Sequence, residues 1–223
     1  MSGDTLDRHW DAVYADGDAT ASWTQTHPTR SLDAIAAIAP ELNAPVIDVG
    51  GGSSTLASAL LTAGHTDVTV LDLSARALEL ARERLGDEAD RVQWISADLL
   101  QWRPRRRYAI WHDRAVLHFF TTPADRAQYA ATLLDAVRPG GHAIIATFAL
   151  DGPDRCSGLP VRRSSAENIL RLLGDEFAGV SADIEHHRAP SGRVQPFSWL
   201  VACRSRVAGQ DALRAEKAES GCH

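Results

Sequence analysis

An apolar segment that runs directly into three consecutive glycines constrains the fold more than any other part of the chain. Val46, Ile47 and Val49 are β-branched, as is typical of a buried parallel strand. Gly50–Gly52 lack a Cβ, so the backbone of this turn can lie close to a ligand. Apolar residues at helical spacing follow over residues 56–63. The segment therefore predicts the first half of a βαβ unit, with a ligand site at the carboxyl end of the strand.

The next predicted strand, over about residues 67–71, ends in the acidic residue Asp72. A carboxylate at this position can accept hydrogen bonds from both hydroxyls of a ribose. The fingerprint of dinucleotide-binding sheets requires a further glycine where this chain has Thr55, and the sequence has no phosphate-binding loop ending in Gly-Lys-Ser/Thr. These features favour a ligand with ribose and adenine but no pyrophosphate, which points to S-adenosylmethionine.

Four motifs in the expected order resemble those of the class I methyltransferases. Residues 48–52 resemble the first motif of that family, Asp72 its ribose-binding acid, residues 95–99 its adenine-binding motif, and residues 138–141 the turn before its fifth strand. The resemblance implies a Rossmann-like α/β fold, with a seven-stranded, mostly parallel sheet, a C-terminal antiparallel hairpin and helices on both faces. It also implies the cofactor S-adenosyl-L-methionine and the product S-adenosyl-L-homocysteine. The residues expected to bind the cofactor are Trp10, Trp23, Asp48, Gly50, Gly51, Gly52, Ser53, Asp72, Leu73, Ser74, Ala97, Asp98, Leu99 and His112.

Length and composition indicate a single catalytic domain. The 223 residues are 44% hydrophobic, which is enough for one core around a large sheet. The net charge of −6 argues against nucleic acid as a partner, and we interpret the basic segment 103–107 as a solvated loop. The longest apolar run, near residues 143–150, is much shorter than a membrane span, so we expect a cytoplasmic protein without a membrane partner. The three cysteines, Cys156, Cys203 and Cys222, and the nine histidines show no metal-ligand spacing, and no metal site is predicted.

Alternating helices and strands fill most of the chain. Helices are predicted over about residues 31–39, 74–85, 123–137 and 165–173, and further strands over about residues 92–96, 108–112, 142–148, 180–186 and 197–203. Pro190-Ser191-Gly192 predicts a turn that joins the last two strands into an antiparallel hairpin at one sheet edge. The predicted organisation is an N-terminal aromatic entry segment over residues 1–30, one methyltransferase domain over residues 31–205, and a frayed or disordered polar tail over residues 206–223.

The segment from His112 to His118 follows the fourth predicted strand and is expected to line the acceptor side of the site. Residues at this strand end can reach toward the group that is transferred. His112 and His118 can deprotonate or orient a thiol, and Arg114 can attract an anion. Two simpler interpretations stay open, in which Asp113 and Arg114 form a structural ion pair and His118 packs under Phe119–Phe120. The predicted catalytic residues are His112, Asp113, Arg114 and His118.

Several looser matches resemble a narrower group, the thiopurine and thiol methyltransferases with their halide and tellurite relatives. The matches are Trp10-Asp11-Ala12-Val13-Tyr14, Trp23 and Pro28 in the entry segment, residues 110–115 around the Asp-Arg pair, Arg126 with Tyr129, residues 158–161, and residues 173–174. His112 departs from the group, because the thiopurine enzymes tend to carry a large apolar residue there. The resemblance implies a small-molecule acceptor, a thiol or sulfide, and a protein that is a monomer or a homodimer.

The chemistry of the acceptor separates the sulfur interpretation from its alternatives. A free thiol has a pKa of about 8.5 and is partly ionised at neutral pH. A lysine ammonium, with a pKa of about 10.4, must first lose a proton. The alternatives are a protein-lysine N-methyltransferase, for which the chain has no extra domain to grip a protein, and a non-catalytic cofactor-binding module. Trp10, Tyr14 and Trp23 are interpreted either as an aromatic lid over the sulfonium or as plain packing. Cys156 either contacts a soft substrate or is incidental.

Overall fold

The computed structural model describes residues 3–15, 22–38 and 41–206. Residues 16–21 of the predicted entry segment lie outside this range. So does the predicted polar tail, apart from Arg206, and with it Cys222. Within the described ranges, no helix is long and apolar enough to cross a membrane.

One seven-stranded sheet forms the centre of the molecule. The described residues contain nine strands, of which seven form this sheet. In chain order the nine strands are β1 (Val46–Val49), β2 (Val68–Asp72), β3 (Val92–Ser96), β4 (Tyr108–Arg114), β5 (Val137–Phe148), β6 (Arg155–Cys156), β7 (Leu159–Pro160), β8 (Phe177–Arg188) and β9 (Val194–Arg204). The large sheet has the order β3-β2-β1-β4-β5-β9-β8, and β6 and β7 form a separate hairpin. The first five strands of the large sheet are parallel, and β9 runs antiparallel to both β5 and β8. The predicted sheet with a C-terminal antiparallel hairpin is confirmed.

Within the described residues, six α-helices flank the large sheet. They are α1 (Gly3–Val13), α2 (Thr29–Ala37), α3 (Leu56–Thr62), α4 (Ala75–Leu85), α5 (Pro123–Ala136) and α6 (Ala166–Leu173). The starts of the last three are fixed by the hydroxyls of Ser74, Thr122 and Ser165, each of which accepts a hydrogen bond from the backbone N–H three residues later. Helix α2 is shifted by two residues from the predicted range 31–39, and α1 was not predicted as a helix.

The core lies on both faces of the sheet. Because side chains alternate along a strand, neighbouring residues of β1 and β4 contribute to opposite layers. Val46 and Ile110 pack on the face covered by α2, α3 and α4, whereas Ile47 and Trp111 pack on the face covered by α5 and α6. This arrangement confirms the predicted helices on both faces and leaves the carboxyl ends of the strands uncovered by either layer.

The strand boundaries differ from the prediction at two points that bear on the site. Strand β4 continues to Arg114, two residues beyond the predicted end at His112. Strand β5 begins at Val137 and includes the predicted turn 138–141, with a shift of register opposite Tyr108–Ile110. The hairpin β6–β7 lies in a segment for which no strand was predicted. Its two-residue turn, Ser157-Gly158, has positive φ at both positions, +48° and +76°, as the tightest hairpins require.

Candidate functional site

A cavity of about 350 Å³ opens along the carboxyl edge of the parallel strands. Four neighbouring strands contribute to its wall in the spatial order β3, β2, β1 and β4, through residues 97–100, Asp72, Gly50 and Arg114. The strand order reverses between β1 and β4, because the chain proceeds from β1 through β2 to β3 on one side and then continues with β4 on the other side of β1. Ligands of open α/β sheets bind at such a switch point, so this cavity is the candidate site.

The glycine turn after β1 has no room for side chains. A Cβ on Gly50 would lie 2.0 Å from Cγ2 of Val116, and one on Gly51 would lie 2.5 Å from Oδ2 of Asp48. Gly50 and Gly52 also have positive φ, +64° and +46°. Gly50 lines the cavity, whereas Asp48, Gly51, Gly52 and the buried Ser53 are not part of its wall. The predicted close approach of backbone to ligand is therefore possible at Gly50.

Asp72 lies at the carboxyl end of β2 and is almost fully buried in the cavity wall, next to Leu73. Its Oδ1 accepts a hydrogen bond from the backbone N–H of Ser74 at 2.8 Å. The pKa of the Asp72 carboxyl is raised to about 7, mainly by burial and also by the nearby Asp48, while backbone N–H donors oppose the shift. A carboxylate has about four acceptor sites, so Asp72 can still accept a hydrogen bond from a ribose hydroxyl.

The segment after β3 forms the next part of the wall. Ala97, Asp98 and Leu99 all line the cavity, and the backbone N–H of Ala97 bonds to the carbonyl of Asp72 at 2.9 Å. Asp98 accepts a hydrogen bond from the backbone N–H of Leu100 and another from the Gln101 amide, each at 2.9 Å. A carboxylate has about four acceptor sites, so Asp98 can still accept from an exocyclic amine.

His112 lies inside β4 and does not line the cavity. Its Nδ1 is 2.7 Å from Oδ1 of Asp48, its partner across the β1–β4 register, and its Nε2 is 2.9 Å from the Ser31 hydroxyl. All three side chains are buried. Both ring nitrogens are thus used to connect β1 and β4 to α2, and neither is directed to the acceptor side.

Asp113 is fully buried and lies on the opposite face of β4. Its carboxylate accepts hydrogen bonds from the Tyr129 hydroxyl at 2.7 Å and from the backbone N–H groups of Val116 and Leu117 at 2.9 and 3.2 Å. Burial raises the pKa of Asp113 to about 6, against the effect of these donors. Asp113 therefore holds the loop after β4 in place, and no ion pair joins it to Arg114 in the part of the chain that the structure describes.

Arg114 ends β4 and lies in the cavity wall. One Nη donates to the carbonyl of Trp23 at 3.1 Å, and the guanidinium carbon lies 4.6 Å from the ring centroid of Phe197. Its Nε and second Nη are buried without a hydrogen-bond partner among residues 3–15, 22–38 and 41–206. Burial lowers the pKa of Arg114, and the neighbouring Glu185 opposes this shift. The next residue, Ala115, has a φ of +75°, a strained conformation for a residue with a Cβ.

His118 is fully buried and is not part of the cavity wall. Its ring lies 4.4 Å from that of Phe119 and 4.6 Å from that of Phe148, measured between centroids. Neither ring nitrogen has a hydrogen-bond partner within the described ranges. Burial lowers the pKa of His118 to about 3, with the charge of Arg114 acting in the same direction. The imidazole is therefore neutral at any physiological pH.

Sequence reasoning named Trp10, Tyr14 and Trp23 as a lid or as packing, but it missed Leu6 and the helix. Leu6 and Trp10 of α1 and Tyr14, the residue directly after it, line the cavity together. Their spacing of four residues is a helical signal that the polar character of the segment obscured. The ring of Trp10 lies 6.0 Å from that of Trp23 and 5.1 Å from that of Phe119. We call these five side chains, Leu6, Trp10, Tyr14, Trp23 and Phe119, the roof.

The hairpin β6–β7 closes the cavity near Arg114. Cys156, Leu159 and Pro160 line it there. Burial raises the pKa of the Cys156 thiol to about 11, against hydrogen bonds from Ser157 and Ser22 and the charge of Arg114. The thiol therefore stays protonated at neutral pH. No cluster of metal-ligating side chains is present in the described ranges.

Comparisons with known proteins agree with this geometry. Residues 46–141 match the family model described as a methyltransferase domain. The chain is similar to a solved structure from work on conversion of a disulfide bond into a thioacetal group during echinomycin biosynthesis, with 21% identity, 98% of this chain and 99% of that chain covered, and a TM-score of 0.72. It is also similar to the 1,6-didemethyltoxoflavin-N1-methyltransferase of Burkholderia thailandensis, solved with S-adenosylhomocysteine, with 22% identity, coverage of 92% and 91%, and a TM-score of 0.69.

A third similar structure is the glycopeptide N-methyltransferase MtfA complexed with S-adenosylmethionine, with 17% identity, coverage of 79% and 92%, and a TM-score of 0.60. No curated protein sequence matches the chain at a significant level. The fold is that of the class I methyltransferases, and the family match covers β1 to the first part of β5, which are the strands that form the cavity.

Proposed function

We propose that this protein is an S-adenosylmethionine-dependent methyltransferase that acts on a small-molecule acceptor and releases S-adenosylhomocysteine. The match of residues 46–141 to a methyltransferase domain and the class I fold support the proposal. Two of the similar structures were solved with this cofactor or its product. The cavity offers the glycine turn at Gly50, the buried carboxylate of Asp72 and the acidic segment around Asp98, which suit methionine, ribose and adenine in turn.

The order of these groups along the sheet edge decides where the acceptor meets the cofactor. Adenine near β3 and ribose near β2 would direct the other end of the molecule past Gly50 toward β4. When bound, S-adenosylmethionine supplies a methyl group on a sulfonium centre. In this proposal the roof excludes water and offers aromatic faces to that cation. The protein then mainly holds the reacting atoms of the acceptor and the cofactor in line and about 3–3.5 Å apart.

We propose a thiol or sulfide, reacting as its anion, as the acceptor. The observation that carries this proposal is the position of Arg114 in the cavity wall, together with the two buried nitrogen atoms of its guanidinium that lack a hydrogen-bond partner in the described chain. A buried cation attracts a thiolate or hydrosulfide and disfavours an ammonium group. Glu185, the nearby carboxylate, accepts a hydrogen bond from Trp199 at 2.8 Å and forms no ion pair with Arg114 in the described ranges.

The four residues predicted for the acceptor side have different roles in this proposal. Arg114 meets the acceptor directly. His112 and Asp113 act from behind the wall, where they hold β1 and the loop after β4. His118 supports Phe119 of the roof by ring contact. No general base is required, because a thiol beside Arg114 loses its proton to water more readily than a free thiol does.

The test is formation of S-adenosylhomocysteine by the full chain with a panel of acceptors. The panel contains sulfide, methanethiol, aromatic thiols, halides, small amines and lysine-bearing proteins. We expect turnover on sulfide or thiols, with kcat/KM at least 100-fold above that on amines. Turnover confined to amines or to a protein would contradict the sulfur proposal and favour an N-methyltransferase. Binding of S-adenosylmethionine without turnover on any acceptor would favour a non-catalytic cofactor-binding module.

A further inference from the structure

A carboxylate on the roof helix α1 reaches the first turn of α4. Oδ1 of Asp11 accepts a hydrogen bond from the Ser74 hydroxyl at 2.6 Å and lies 3.4 Å from the backbone N–H of Arg76. Free N–H groups and the positive end of the helix dipole at an N-terminus stabilise a carboxylate in this position. Asp11 therefore joins α1 to the start of α4 at one defined point.

The same serine is bonded to the candidate ribose-binding carboxylate. The backbone N–H of Ser74 donates to Oδ1 of Asp72 at 2.8 Å, and the Ser74 hydroxyl accepts from the N–H of Ala77 at 3.1 Å. Because the hydroxyl proton is donated to Asp11, its lone pairs stay available to Ala77. Asp11, Ser74 and Asp72 thus form one continuous chain of hydrogen bonds from the outside of α1 to the cavity.

We infer that Asp11 is a positioning residue for Asp72, acting through Ser74, so that the ribose subsite is complete only when α1 is docked. The inference rests on the proposed function, in which Asp72 binds the ribose. Helix α1 carries Leu6 and Trp10 of the roof on its cavity face, with Tyr14 directly after its end, and Asp11 lies beside that face. The roof and the ribose subsite therefore form together, and cofactor bound to Asp72 favours the docked position of α1.

A purely structural anchor would behave differently. Trp10 already holds α1 through ring contacts with Trp23 and Phe119. Asp11 adds no apolar packing there, and its partners are the polar groups at the start of α4. If Asp11 only docked the helix, its loss would loosen α1 and weaken cofactor binding through the roof, and this loss would vanish in a Trp10→Ala background, where the main ring contacts of α1 are already removed. A loss of affinity that persists in the Trp10→Ala background and depends on Ser74 distinguishes the positioning role.

The first measurement is the affinity of the full chain for S-adenosylhomocysteine by titration calorimetry. We expect Asp11→Ala to weaken binding about 10-fold, the loss of one charge-assisted hydrogen bond in the chain. Asp11→Asn keeps an amide oxygen that accepts from the Ser74 hydroxyl, and we expect about a 3-fold loss. Asp33→Ala is the matched control, because it removes an exposed carboxylate from α2 away from the cavity, and its affinity should equal that of the wild type.

A double-mutant cycle with Ser74→Ala tests the route. If Asp11 acts through Ser74, Asp11→Ala should weaken binding less than 2-fold further in the Ser74→Ala background. Hydrogen exchange supplies the second readout. In the wild type, S-adenosylhomocysteine should slow exchange in both α1 and residues 72–77, and in Asp11→Ala it should slow exchange in residues 72–77 only. Thermal unfolding identifies any variant that fails to fold, in which case Asp11→Asn carries the comparison.

The outcomes separate this inference from the proposed function. A wild-type chain that does not bind S-adenosylhomocysteine would contradict the proposed function itself. Wild-type binding with unchanged affinity in Asp11→Ala would overturn only the role of Asp11. Independent, additive losses in the cycle would overturn the route through Ser74.

Discussion

The two halves of the cavity are built in different ways. The cofactor half, along β3, β2 and β1, consists of short motifs that directly follow strand ends, such as Gly50, Asp72 and residues 97–99. The acceptor half, beyond β4, is assembled from α1, residue 23, the loop after β4 and the hairpin β6–β7, which are far apart in sequence. The difference indicates that local motifs suit a ligand that many proteins share, such as a cofactor, whereas tertiary assembly suits a ligand that is particular to one protein, such as an acceptor. The proposed function places the cofactor in the first half and the acceptor in the second.

The largest effect is expected in the cofactor half, at Gly50. In Gly50→Ala, a Cβ would lie 2.0 Å from Cγ2 of Val116 at a φ of +64°. Overpacking and the left-handed backbone together should lower the free energy of unfolding by about 2–4 kcal/mol. Binding of S-adenosylhomocysteine should be lost. Chemical denaturation and titration calorimetry measure the two effects.

Val116→Ala supplies the control for Gly50→Ala, because it removes the atom that clashes but leaves the strained φ. The double variant should recover part of the stability and little of the binding, since the added methyl still occupies the cavity wall. Wild-type affinity in Gly50→Ala would contradict the assignment of this turn to the cofactor.

Asp72 should carry the next largest effect. Asp72→Asn should weaken binding of S-adenosylhomocysteine about 30-fold, because two hydroxyl donors lose a charged acceptor. The pKa of Asp72 is raised to about 7 by burial. Ribose hydroxyls bind the ionised form better, so wild-type affinity should be present above pH 7 and fall as the pH drops through 7 toward 6.

Asp72→Asn should bind with the same affinity at pH 6 and pH 8, because the amide does not titrate. Asp98→Asn is a second control, since its carboxylate is already held by Leu100 and Gln101 and should show a smaller loss. An unchanged pH profile in Asp72→Asn would assign the titration to another group.

Variants of Arg114 test the acceptor half of the cavity independently of the cofactor half. Arg114→Gln should raise the KM for a thiol or sulfide about 10-fold, because the anion loses its buried partner. The affinity for S-adenosylhomocysteine should change less than 3-fold. Arg114→Lys keeps the charge, and its KM should lie between those of the wild type and Arg114→Gln. Arg162→Gln removes the same charge from an exposed position and should leave KM unchanged. Equal losses of acceptor and cofactor binding would contradict the division of the cavity.

The same division explains how much could be predicted from the sequence. The fold and the cofactor half follow from local patterns, because strand order alone brings Gly50, Asp72 and residues 97–99 to one edge. The role of His112 depended on where β4 ends. The predicted end at residue 112 placed its ring at the sheet edge, whereas the strand continues to Arg114 and leaves His112 between Asp48 and Ser31.

Trp10, Tyr14 and Trp23 of the roof were named from the sequence, but helix α1 and the hairpin β6–β7 were beyond local reasoning for a different reason. Helix α1 has a mainly polar sequence, and its apolar face is defined only by what it covers. The two strands of β6–β7 have two residues each, too short for an alternating pattern. Contacts of this kind are fixed by tertiary packing, which single-chain periodicity does not encode.

The smallest effect is expected at His118, and it separates packing from catalysis. Both ring nitrogens lack partners, burial lowers its pKa to about 3, and the ring lies between Phe119 and Phe148. Replacing an unsatisfied buried polar ring with an apolar side chain of similar size is close to neutral or stabilising. We therefore expect His118→Leu to change the free energy of unfolding by less than about 1 kcal/mol and kcat/KM by less than 2-fold. A loss of kcat of about 100-fold or more, with stability and cofactor affinity unchanged, would instead show that His118 acts on the acceptor as a general base.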